Sequence, residues 1–280
     1  MAEPHVVNVQ FDDEAVDFGR YRHHFLAEGD SWFAWAHINL RKSSNLLEQL
    51  QFVETSVVVS CAYTGDVIRN MGDMASNGLF ANEMRAVKYD AILLSGGGND
   101  LIDALEARAD VAGIIQARAS GALEQAASYI NAAALSTLLG EVLKGYQQII
   151  AYRASTPNSN TPIVLHTYDY PTARNAPATF FGKPVSGPWL LPAMQAAAVP
   201  DVLQKAVTKS VYDQLSTALL TLHAPSNKVY VVRTTGTIEP AKAGDTGLSG
   251  DWINEIHPNQ HGYALIAEKI SNQLHQLGLA

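Results

Sequence analysis

Five short apolar runs constrain this chain more than any other feature: residues 24–27, 56–60, 91–95, 163–166 and 229–232. Val57-Val58-Val59 and Ile92-Leu93-Leu94 do not alternate with polar residues. A strand with one wet face alternates, whereas a strand covered on both faces reads as a continuous apolar run. Between the runs, residues 45–52, 79–87, 124–154, 201–223 and 260–277 carry apolar residues at helical spacing. Strand and helix in alternation predict right-handed crossovers and an α/β chain. The expected architecture is a three-layer α/β/α sandwich around a parallel sheet of about five strands. With 47% apolar residues, the 280-residue chain has enough to bury a large core. We expect an N-terminal arm over 1–22 and a single domain over 23–280. The stretch 172–200 holds five prolines and two glycines beside Phe180, Phe181, Trp189 and Leu190. It reads as a long loop placed to cover a site.

Charge and cysteine content narrow the function classes. A formal net charge of −8 and the absence of a Lys/Arg cluster argue against nucleic acid as partner. Cys61 is the single cysteine, so no disulfide can form within the chain. No apolar stretch has the length to cross a bilayer. The first residues lack a basic region followed by an apolar one, so no signal peptide is expected and a cytoplasmic or unassigned location follows. Oligomeric state is not written in the sequence.

Ligands of such sheets bind beyond the carboxyl ends of the strands, so the residues after each run matter most. After the first comes Gly29-Asp30-Ser31-Trp32-Phe33, a turn leading into a helix. Asp30 or Ser31 could merely cap that helix. After the second comes Thr64-Gly65-Asp66, which also fits a simple turn. After the third comes Gly96-Gly97-Gly98-Asn99-Asp100, where glycine permits close backbone approach. No GK[ST] follows, so a phosphate loop is not expected. Before the last helix comes Asp251-Trp252-Ile253-Asn254-Glu255-Ile256-His257-Pro258. A histidine before proline sits outside a helix interior. His257, His261 and Glu255 have a spacing that could hold zinc, but Pro258 allows only a helix start there. We therefore expect no metal.

Together and in this order, the blocks resemble the SGNH (GDSL-like) hydrolase family, from about residue 24 to the C-terminus. Gly29-Asp30-Ser31 resembles its first block, with Trp32 where leucine is usual. Thr64-Gly65-Asp66 resembles the glycine block, Gly97-Gly98-Asn99-Asp100 the GxND block, and His257 the last. The resemblance implies a flavodoxin-like fold and a serine ester hydrolase that needs no cofactor. In that reading Ser31 is the nucleophile and His257 its base. The Ser31 and Gly65 N–H groups and the Asn99 side chain form the oxyanion hole. The substrate would be a small-molecule or lipid ester, with Phe180, Phe181, Trp189 and Leu190 as an apolar pocket or as plain loop packing. Carbohydrate O-deacetylation, acyl transfer, or a catalytically impaired binding protein on the same scaffold stay open.

The family's last block carries Asp three residues before its histidine, and here that position is Asn254. Asp251 folding back is the favoured way to orient the His257 ring. The Asn254 amide, or a backbone carbonyl of Trp252 or Asn254, are the alternatives. Glu255 is expected to face solvent.

Overall fold

The structure, a computed structural model, describes residues 1–12, 15–34, 44–106, 113–116, 125–180 and 183–280. Eight strands are present among them: β1 His5–Asn8, β2 His23–Gly29, β3 Ser56–Ser60, β4 Ala91–Ser95, β5 Ile163–His166, β6 Ala178–Phe180, β7 Lys183–Ser186 and β8 Val229–Val232. The helices are α1 Ser31–Ala34, α2 Ile68–Gly72, α3 Gly78–Ala86, α4 Gly98–Glu106, α5 Ala132–Arg153, α6 Leu190–Ala196, α7 Asp201–Leu220 and α8 Gln260–Gln276.

Six strands form one sheet, in the order β1-β3-β2-β4-β5-β8, and every pairing is parallel. All five expected runs lie in it. β3 and β4 are buried at every position, as their unbroken apolar runs require. A sixth strand joins the five expected runs: the stretch expected as an N-terminal arm supplies β1, which pairs with β3 from His5↔Val57 to Asn8↔Ser60. Its exposed start and buried end suit an edge strand. A correction falls on 45–52, where turns stand in place of the expected helix. This segment meets α8, while α2 packs against α5 and α5 against α7. The Gln51 N–H donates to Ser271 Oγ of α8 at 3.0 Å.

The chain leaves β2 for β3 on one side and then crosses to β4 on the other. That reversal opens a crevice at the carboxyl ends of β2 and β4. The stretch 172–200 is less irregular than expected, since it folds into the β6–β7 hairpin followed by α6.

Candidate active site

Ser31 is the first residue of α1, directly beyond the end of β2. Asp30 sets this turn. Its Oδ1 accepts the Trp32 N–H at 3.0 Å and the Ser95 hydroxyl at 3.0 Å, and its Oδ2 accepts the Tyr168 phenol. Burial raises the Asp30 carboxyl to about 6, although these three donors favour its charged form. Gly98 of the third block allows Tyr168 to reach this point. A Cβ on Gly98 would lie 2.8 Å from the Tyr168 ring.

His257 reaches Ser31 from the other end of the chain. Its Nε2 is 2.8 Å from Ser31 Oγ. Both side chains are nearly enclosed, at 5% and 2% relative exposure for Ser31 and His257. His257 Nδ1 is 3.0 Å from Asn254 Oδ1. The same oxygen accepts the backbone N–H groups of Ile256 at 3.1 Å and His257 at 2.8 Å. Two backbone donors therefore fix which end of the amide faces the ring. An acceptor at Nδ1 holds the proton there and leaves the Nε2 lone pair for the serine hydroxyl. Burial lowers the imidazole to about 3, so the ring is neutral near pH 7.

The expected partner Asp251 is elsewhere. The Ile253 N–H donates to the His257 carbonyl at 3.0 Å, closing a turn that places residue 254 beneath the ring. Asp251 lies beyond the Trp252–Pro258 bridge that ends this turn. Its Oδ2 accepts the Glu239 N–H at 2.8 Å, and its Oδ1 is 2.8 Å from His261 Nδ1.

Glu255 does not face solvent, contrary to expectation; it is fully buried. Its Oε1 accepts the N–H groups of Arg174 at 3.0 Å and Leu191 at 2.8 Å. Its Oε2 accepts those of Leu190 at 2.8 Å and Trp189. Desolvation by burial raises its carboxyl even so. Arg174, also buried, donates to the Asn254 carbonyl at 2.6 Å, to that of Asp245 at 3.2 Å and to that of Gly247. No sequence signal marks Arg174. Glu255 carried one, an acidic residue two positions before His257.

Asn99 and Ser31 line the same small depression, with Ile102, Tyr212, Trp252 and Ile256. Asn99 Nδ2 donates to the Asp66 carbonyl at 2.8 Å, which joins the third block to the second. Gly65 has φ +86°, a conformation that favours glycine. The Tyr63 N–H holds this turn against β2 through the Gly29 carbonyl at 2.9 Å. Of the four expected pocket residues, Trp189 is at the site, its ring 5.8 Å from the His257 ring and at 75° to it. Leu190 is buried at the start of α6 and is not part of the Ser31 depression. Phe180 lies in β6, and Phe181 lies outside the described residues. Among the described residues, no helix is long and apolar enough to cross a membrane.

No protein-family model matches the sequence, and no curated protein does. Solved structures do match. A possible lipase from Chitinophaga pinensis is 15% identical, with a TM-score of 0.52 over 92% of this chain and 100% of its own. The chain shares the α/β fold of that protein, a parallel sheet flanked by helices. An extracellular lipase from Streptomyces rimosus is 12% identical, over 88% of this chain and 98% of its own, with a TM-score of 0.49. A carbohydrate esterase of family 3 from Talaromyces cellulolyticus is 14% identical, over 91% and 98%, with a TM-score of 0.45. In this chain the ends of β2 and β4 and the loop before α8 meet at one rim. Those are the places that hold Ser31, Asn99 and His257 here.

Proposed function

We propose that this protein is a serine ester hydrolase that works through an acyl-enzyme, with Ser31 as nucleophile and His257 as general base. The observation that carries this reading is the 2.8 Å contact between Ser31 Oγ and His257 Nε2. A hydroxyl is a weak nucleophile at its ordinary pKa, and an adjacent base with a free lone pair activates it.

In the forward step, Ser31 Oγ attacks the ester carbonyl and its proton passes to His257 Nε2. The Asn254 oxygen accepts the Nδ1–H throughout and keeps the imidazolium in register. The tetrahedral oxyanion is held by the N–H groups of Ser31 and Gly65 and the side-chain N–H₂ of Asn99. Each such donor is worth roughly 10²–10³ in rate. The Nε2 proton then goes to the leaving alkoxide. Water, deprotonated by the same nitrogen, releases the acid and restores Ser31.

The depression beside Ser31 is small, and Ile102, Tyr212, Trp252 and Ile256 wall it. A short acyl group is the substrate portion that suits it.

The test is a p-nitrophenyl ester series from acetate to long chains, together with labelling by a fluorophosphonate. The wild type is expected to label at Ser31 and to favour short acyl groups. Ser31→Ala should lose both labelling and turnover. Full turnover in Ser31→Ala would overturn the reading.

A further inference from the structure

Glu255 is a buried carboxylate beside the base, and proton transfer does not use it. Its four donors all come from the covering stretch, one from Arg174 and three from residues 189–191. The two segments are joined in two further places. The Glu255 N–H donates to the Ala176 carbonyl at 2.9 Å, and Arg174 donates to the Asn254 carbonyl. Trp189, whose N–H is one of the four, sets its ring against His257. The residues on either side of Glu255 in this loop include Asn254 and His257, so the same turn holds both the base and the anchor of the cover.

We propose that Glu255 is a positioning residue: it fastens residues 172–196 to the His257 loop, so that Trp189 and the base hold one fixed spacing across the substrate. The proposal rests on the serine hydrolase reading and names how that site is bounded. The carboxylate is the group this joint requires. Each of its two oxygens accepts two N–H groups, and it has no donor of its own to oppose them. A carboxamide has one accepting oxygen and would turn an N–H₂ toward two backbone donors.

The experiment is a double-mutant cycle with Glu255→Gln, Trp189→Ala and the pair, read as kcat and KM on p-nitrophenyl acetate. Each single change is expected to lower kcat/KM by about tenfold, the scale of a lost buried hydrogen bond. The pair should be little worse than either alone, because Glu255 acts through Trp189. Additive losses, or a Glu255→Gln enzyme with wild-type kcat and KM, would overturn the proposal. Hydrogen exchange on the wild-type protein provides a check that needs no variant to fold. The amides of Trp189, Leu190 and Leu191 are expected to be protected as strongly as those of residues 254–257. Much faster exchange at 189–191 would overturn it too. Fluorophosphonate labelling of the wild type separates the two claims. Absent labelling sinks the hydrolase reading itself, whereas normal labelling with an additive cycle sinks the role of Glu255 alone.

Discussion

Asn254 Oδ1 lies 3.0 Å from His257 Nδ1, at the position where a carboxylate would neutralise the imidazolium. An amide oxygen fixes the tautomer but supplies no full charge. Exchanging a triad Asp for Asn can lower turnover by about 10⁴ when the wrong tautomer results. Here two backbone N–H groups orient the amide, so that failure is avoided. Asn254→Ala removes the acceptor and is expected to lower kcat by about 10² or more. Asn254→Asp adds a charge that favours the imidazolium, raising the His257 pKa from its low value. The acid limb of the kcat/KM profile should then move to higher pH. A profile unmoved in Asn254→Asp would contradict the assigned contact.

Asp251 provides the opposite expectation. It accepts the Glu239 N–H, meets His261, and does not meet the His257 ring. Asp251→Ala removes the acceptor of the part-buried Glu239 N–H, a loss of about 0.5–1.5 kcal/mol. The variant should unfold at lower urea concentration yet keep kcat within about threefold at 25 °C, since no transition-state contact is removed. A loss of kcat near that of Asn254→Ala, with stability unchanged, would return Asp251 to the site.

The difference between these two residues also marks how far the sequence could be read. β3 and β4 were legible because Val57-Val58-Val59 and Ile92-Leu93-Leu94 leave no polar side for water. β1 was not, because His5-Val6-Val7-Asn8 is four residues long, holds only two apolar residues, and sits at an edge with an exposed start. Ser31, Asn99 and His257 were legible because each follows a strand or precedes the last helix at a glycine or proline. Asn254 against Asp251 was decided by one turn hydrogen bond, Ile253 to His257, which spacing does not encode. The burial of Glu255 depends on Arg174 and residues 189–191, sixty-odd positions away or more in sequence. Local composition carries no trace of such pairing.

Trp32 stands where the resemblance has leucine, and its side chain does what leucine could not. Nε1 donates to the carbonyl of Ile256, the residue before His257, at 3.2 Å. The indole is stacked on His166 and meets Tyr168 and Tyr263 edge-on. It thus links the Ser31 turn to the His257 loop. Trp32→Phe keeps an aromatic ring but leaves that carbonyl without its donor. A fall of about tenfold in kcat, with KM near wild type, is expected from a small misplacement of His257. Equal kcat in the two proteins would show that the indole only fills space.

Glu28 is expected to dominate one limb of the stability profile. It is buried at the end of β2, where Oε1 accepts the Gly29 N–H at 2.8 Å and Oε2 accepts from Asn77 Nδ2 at 2.8 Å. Burial outweighs both bonds and raises its carboxyl to about 8. The native carboxyl therefore titrates above its unfolded value. Its contribution to stability is present below about pH 4.5 and is lost as the pH rises toward 8. Glu28→Gln keeps the shape and an acceptor but cannot ionise. Relative to wild type, the variant should gain about 1.4 kcal/mol per pH unit across that window and then level off. Urea unfolding of both proteins at several pH values between 5 and 9 measures the difference. A constant difference over that range would mean that Glu28 is charged in the folded protein, and that Asn77 and the Gly29 N–H suffice to hold the charge in the core.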